Sequence, residues 1–189
     1  MTIIAAIHDT KKNIVWLGAN GRATIGSLVA PSIDTKWIAI NGWVIGMTGS
    51  GPKIEALKAH ESECPDDAAH PVEILKFMKN AYGDFDIGET EEGVKKYSGS
   101  GLLVHRSGRI WDFDQSFCLT SVPADTFWAQ GSGMEIAIGA AQALVPHVAD
   151  QRLRMHNVIE ITIAKDVDCP GEVLVQSFDR DGQLSAARQ

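Results

Sequence analysis

Positive charge is in short supply. Seventeen lysines and arginines stand against twenty-four aspartates and glutamates, a formal net charge of −7. That balance does not suit nucleic acid, whose phosphates are held by clustered cations. Cysteine is equally sparse. Cys64, Cys118 and Cys169 are odd in number and far apart, so neither a disulfide framework nor a CxxC metal pair is indicated, and a reducing cytoplasm fits best. No apolar run approaches the roughly 20 residues of a membrane span. Met1-Thr2-Ile3-Ile4-Ala5-Ala6-Ile7 is apolar but lacks a basic lead and stops at His8-Asp9, which is not the pattern of a signal peptide. Internal repeats, low-complexity stretches and linkers are also missing. A chain of 189 residues therefore reads as one domain over 1–189, large enough for a real core.

What the chain does have is short β-patterned runs separated by two blocks of helical pattern. Ile3 to Ile7 and Ile14 to Leu17 read as strands around a polar turn, hence a hairpin. Lys36 to Ile40 and Trp43 to Ile45 flank Asn41-Gly42, the strongest short hairpin signal, because both central positions of that turn take positive φ. Helical spacing follows over Pro52 to Ser62 and Pro71 to Tyr82, with Pro52 suited to a first turn. Asp84 to Lys96 is acidic and reads as a loop. Gly101 to His105 and Arg109 to Phe113 read as strands about Arg106-Ser107-Gly108. Ser132 to Val145, ended by Pro146, and Gln151 to Lys165 read as helices. Glu172 to Phe178 reads as a last strand, with a polar tail after Asp179. This order is not the alternation of a parallel sheet. It predicts an α+β fold, a four-layer αββα sandwich of two antiparallel sheets between two helix pairs.

That order, with a threonine next to the initiator methionine, resembles the N-terminal nucleophile hydrolases, and among them the proteasome β-subunits and HslV, with a bacterial proteasome homologue outside the HslV group as the alternative. Gly21-Arg22-Ala23-Thr24-Ile25-Gly26 is similar to the Gly-x-Ala-Thr-x-Gly segment after the second strand of HslV. Lys36 stands where that family has its active-site lysine. Val44-Ile45-Gly46-Met47-Thr48-Gly49 resembles the strand end that forms its oxyanion hole. Gly131-Ser132-Gly133, opening an Ala-rich helix, is similar to the family's Gly-Ser-Gly, and Ala164-Lys165-Asp166 to the segment bearing its supporting aspartate.

The resemblance implies a threonine peptidase subunit that works after Met1 is removed. The Thr2 hydroxyl would be the nucleophile and the freed Thr2 α-amine its base, since an α-amine with a pKa of about 7.7–8.0 is partly neutral at pH 7. Lys36 would favour the neutral amine and the ionised hydroxyl. Gly46, or Met47 in a register one residue on, would donate its N–H to the oxyanion. Ser132 and Asp166 would orient the amine, although Ser132 also reads as the N-cap of the helix after it and Asp166 as a helix-end acid. Cys169 falls where proteasomes often carry a serine. The chain departs from the family at Asn20, where an aspartate is usual. An amide still accepts a hydrogen bond from Lys36 but supplies no charge. The resemblance further implies stacked rings of six or seven copies, unfolded protein or peptide substrates, an ATPase unfoldase ring as partner, and no metal or organic cofactor. Two other readings share the pattern: a ring subunit without activity, for which Asn20 speaks, and a small-molecule amidase.

Overall fold

The computed structural model describes residues 2–21, 24–25, 28–29, 36–49, 52–92, 94–97 and 99–186. Met1, and with it the expected processing, lies outside the described residues, as do Arg22, Ala23 and Gly26 of the Gly-x-Ala-Thr-x-Gly segment.

The chain opens with β1 (Ile3–Asp9) and β2 (Ile14–Asn20), paired antiparallel with Ile7 opposite Trp16. β3 (Thr24–Ile25) and β4 (Leu28–Val29) form a two-residue ladder. β5 (Trp37–Ile40) and β6 (Trp43–Met47) follow, joined by Asn41 and Gly42 at φ +46° and +76°. That is the primed turn which the Asn-Gly pair predicts. α1 (Pro52–Ala59), a 3₁₀ turn (Glu61–Glu63) and α2 (Pro71–Asp84) make the first helical block. β7 (Glu89–Glu91) and β8 (Val94–Lys96) pair next. β9 (Gly101–His105), β10 (Ile110–Phe113), β11 (Leu119–Val122) and β12 (Trp128–Gly131) lead to α3 (Met134–Leu144) and α4 (Gln151–Lys165). Asp150 caps α4 by accepting the Leu153 N–H at 2.9 Å. β13 (Val173–Phe178) and β14 (Leu184–Ala186) complete the chain.

The strands form two antiparallel five-stranded sheets, ordered β12-β1-β2-β13-β14 and β11-β10-β9-β6-β5. Three apolar clusters fix the layers. Ile4, Ala6, Leu17, Val44 and Val104 meet between the sheets. Ile3, Ala5 and Ile7, the alternate side of β1, pack on Ala137, Met155 and Ile159 of α3 and α4. Ile45, Leu103, Leu57, Ile74 and Met78 pack the second sheet on α1 and α2. The molecule is therefore the expected αββα sandwich, with β1 buried on both faces. Among the described residues no helix is long and apolar enough to cross a membrane.

Local assignments differ in five places. Asp84 to Lys96 is not loop throughout. α2 runs through Asp84 and a short hairpin follows, its Lys96 paired with Glu91. β11 and β12 carry no apolar alternation, and they are strands because β10 and β1 offer them ladder partners. The tail after Asp179 turns back as β14, where the Asp179 carboxylate accepts the N–H groups of Asp181 and Gln183 at 3.0 and 2.9 Å. The first helix ends at Ala59, followed by the 3₁₀ turn. The α3 helix starts at Met134 with Gly133 as its N-cap residue, so Ser132 is not the cap and its hydroxyl is free for other work.

Candidate active site

Thr2 immediately precedes β1 and is 7% exposed. Its carbonyl accepts the Ser132 N–H at 3.1 Å, an extension of the β1–β12 ladder in which Ile3 faces Gly131. This approach needs glycine. Gly131 sits at φ +114°, and a Cβ there would overlap the Thr2 carbonyl. The Gly-Ser-Gly motif is visible in the sequence, but not that its first glycine is the surface on which the Thr2 backbone rests.

The Ser132 hydroxyl donates to the Asp166 Oδ2 at 3.1 Å and lies 3.2 Å from Cys169 Sγ. Either atom can be the donor in the second contact, and the Cys169 thiol also bonds the Asp166 carboxylate. Burial pushes the Cys169 thiol up to about 11, so it is a protonated, unreactive group at neutral pH. Burial also works to raise the Asp166 carboxyl, but bonds from the Asp168 N–H, Cys169 and Ser132 outweigh it and hold the group below the usual carboxylate range. Gly133 lets this segment approach α4, since a Cβ there would overlap the Thr162 methyl of that helix and stand 3.3 Å from Asp166 Oδ2.

Asn20, fully buried at the end of β2, accepts the Ile3 N–H at 3.0 Å and donates to the Pro170 carbonyl at 2.8 Å. The next residue, Gly21, donates its N–H to the Glu172 carbonyl at 2.7 Å. Thr2, Asn20, Ser132 and Asp166 are thus brought together in one bonded group, joined by Cys169 and Pro170.

Lys36 and Gly46 stand on the facing sheet. Lys36 is half-buried just before β5, and its carbonyl accepts the Met47 N–H at 2.9 Å. Gly46 lies between Trp37 and Leu102 in the ladder. Thr48 donates its N–H to the Ser100 carbonyl at 2.8 Å, on the β9 side. Residues of a central strand alternate their hydrogen bonds between neighbours, so the Gly46 amide points to β9 and the Met47 amide to β5. Gly49, at φ +94°, follows these ladder positions. Beside this strand end a polar relay crosses between the sheets. The Ser100 hydroxyl donates to Gln130 Oε1 at 2.7 Å, and Gln130 Nε2 donates to Asp112. Gln130 faces Ile4 on β1. No motif announced this relay. Among the described residues there is no group of three or more His, Cys, Asp or Glu side chains able to hold a metal ion.

Two antiparallel sheets between helix pairs, with a threonine at the head of a central strand, define the proteasome-like fold of the N-terminal nucleophile hydrolases. Among solved structures the chain is similar to BPH, a bacterial proteasome homologue, from Thiobacillus denitrificans, with a TM-score of 0.76 at 14% identity over 95% of this chain and 98% of that one. The structure of that protein in complex with epoxomicin gives 0.74 at 15% identity over 95% and 98%. HslV from Trypanosoma brucei gives 0.65 at 20% identity over 94% and 99%. At these identities the likeness is one of fold. No protein-family model matches the chain, and no curated protein matches it.

Proposed function

We propose that the chain is a threonine-type peptidase subunit of a self-compartmentalising ring protease, acting through Thr2 after Met1 is removed. The observation that carries this reading is the clamped Thr2 backbone. Its carbonyl is bonded to the Ser132 N–H at 3.1 Å, and the Ser132 hydroxyl is bonded to Asp166. A threonine held that way, at the head of a buried strand, is positioned rather than merely present. The epoxomicin complex of a protein with this fold adds support.

In the proposed reaction the Thr2 Oγ attacks the scissile carbonyl carbon, and its proton passes to the Thr2 α-amine. The tetrahedral intermediate collapses as the protonated amine gives its proton to the departing peptide nitrogen, leaving an ester on Oγ. Water then adds to the ester with the amine again as base, which releases the acid and restores Thr2. Lys36 supplies the positive field that favours the neutral amine. The oxyanion takes a backbone N–H from the 46–49 strand end, with Gly46 as the donor by resemblance. The ladder turns that amide toward β9, so the role requires it to leave the ladder when substrate is bound. Rings with the sites inside would confine so exposed a chemistry, with peptides or unfolded proteins as substrates and an ATPase ring to deliver them.

The test is labelling by a peptide epoxyketone, read by intact mass on native protein sedimented in parallel. Expected are loss of Met1, one adduct per chain that Thr2→Ala abolishes, and a large assembly. An assembled ring that lacks Met1 and takes no adduct supports the inactive-subunit reading, which Asn20 favours. A stable monomer at micromolar concentration excludes the compartment.

A further inference from the structure

The Asn20 carboxamide makes two bonds of opposite sense, accepting from Ile3 and donating to Pro170. Its orientation is fixed chemically. The Ile3 N–H needs an acceptor and the Pro170 carbonyl needs a donor, so Oδ1 and Nδ2 cannot be exchanged. Ile3 is the residue after Thr2, and Pro170 is the residue after Cys169. One side chain therefore joins the backbone of the proposed nucleophile to the loop that carries Asp166 and Cys169.

We infer that Asn20 is a positioning residue, a strap that holds Thr2 against the Ser132–Asp166–Cys169 cluster and that requires a donor as well as an acceptor. The inference rests on the Thr2 reading above. It also gives the departure at Asn20 a sense other than lost activity. Aspartate has the same shape, but when ionised it only accepts. At this fully buried place its second oxygen would confront the Pro170 carbonyl oxygen. It can replace asparagine only while protonated, when its O–H donates to Pro170. The ionisable groups on the surrounding elements are the Thr2 α-amine once Met1 is removed, Lys36 before β5, and Asp166, Asp168, Cys169 and Glu172 after α4. The acids oppose a further negative charge here, and Lys36 and the protonated amine favour one; the wild-type comparison cancels the amine's own titration.

The experiment compares wild type with Asn20→Asp and Asn20→Leu from about pH 5 to 8, a range that spans the ionisation of a carboxyl raised by burial. Two quantities are read: hydrogen exchange of the Ile3 amide, corrected for its intrinsic rate, and the rate of epoxyketone labelling. In wild type the Ile3 amide stays protected throughout. In Asn20→Asp, protection and labelling relative to wild type hold at the acid end and fall together as the new carboxyl ionises. Labelling should end roughly 10²-fold down, the scale of a 1 Å displacement of a reacting group. Asn20→Leu loses both at every pH. Asn20→Asp with wild-type protection and labelling near pH 8 overturns the inference, because an acceptor alone would then suffice and Lys36 would be the operative partner. Should Asn20→Asp not fold, unaltered Ile3 protection in Asn20→Leu overturns it equally. Should wild type take no label, the Thr2 reading fails, and Ile3 exchange alone decides the strap.

Discussion

A single glycine decides whether the backbone of Thr2, the proposed nucleophile, can reach its support. Gly131→Ala adds a methyl where the Thr2 carbonyl lies, at a φ of +114° that L side chains avoid. The strained conformation alone costs about 1–3 kcal/mol, and relief by backbone movement breaks the Ser132–Thr2 bond. Denaturant unfolding should show that loss, and labelling should fall even in the folded fraction. Lys36→Ala is expected to behave differently. It should leave unfolding and assembly unchanged while abolishing labelling, since the positive field would be gone. Unchanged labelling would mean that Lys36 is not the site cation. Residue by residue, the motifs point to residues that the fold brings together, since Thr2, Asn20, Ser132 and Asp166 meet in one bonded group. Partners were harder to read. The resemblance pairs Asn20 with Lys36, and the structure adds bonds from Asn20 to Ile3 and Pro170. A contact across 150 residues of chain leaves no trace in local spacing.

The elements that pack by their own pattern were legible, and those that exist by pairing were not. β1, β6 and α2 carry periodic apolar residues, whereas Leu119–Val122 and Trp128–Gly131 are polar or mixed and become strands only against β10 and β1. Asp166 reaches the site because α4 ends there, and α4 is set down on the sheet at Gly18. A Cβ on Gly18 would overlap Met155 and lie 2.9 Å from Ile159. Gly18→Ala should therefore cost about 1–3 kcal/mol by overpacking. Shortening the obstructing side chain should return part of that, so a Gly18→Ala/Met155→Ala cycle is expected to give a favourable interaction of roughly 0.5–3 kcal/mol. Simple additivity would show that α4 lifts without resistance.

Over the whole molecule, one buried cation shapes the dependence of stability on pH. Lys53 is 3% exposed, and burial lowers its amine to about 8. Between about 8 and its ordinary 10.5, the unfolded chain holds a proton that the folded chain does not, so this group makes stability rise with pH in that window. Below it, both forms are protonated and the slope vanishes. Denaturant midpoints for Lys53→Met across this range should lack the rise seen in wild type, and a parallel slope would assign it to other groups.

The clamped Thr2 also sets an order of events in the life of the chain. Thr2 and Ile3 leave the ribosome well before their partners: Ser132, Pro170 by way of Asn20, and the helices that cover β1 all come much later in the chain. Asn20 and Pro170 are separated by 150 residues, which is roughly 8 to 30 seconds of synthesis at about 5–20 residues per second. For that interval the Thr2 backbone is without the partners that hold it in the folded chain. The proposed nucleophile is thus made early and held in place late, so any activity it has must wait for the last third of the chain.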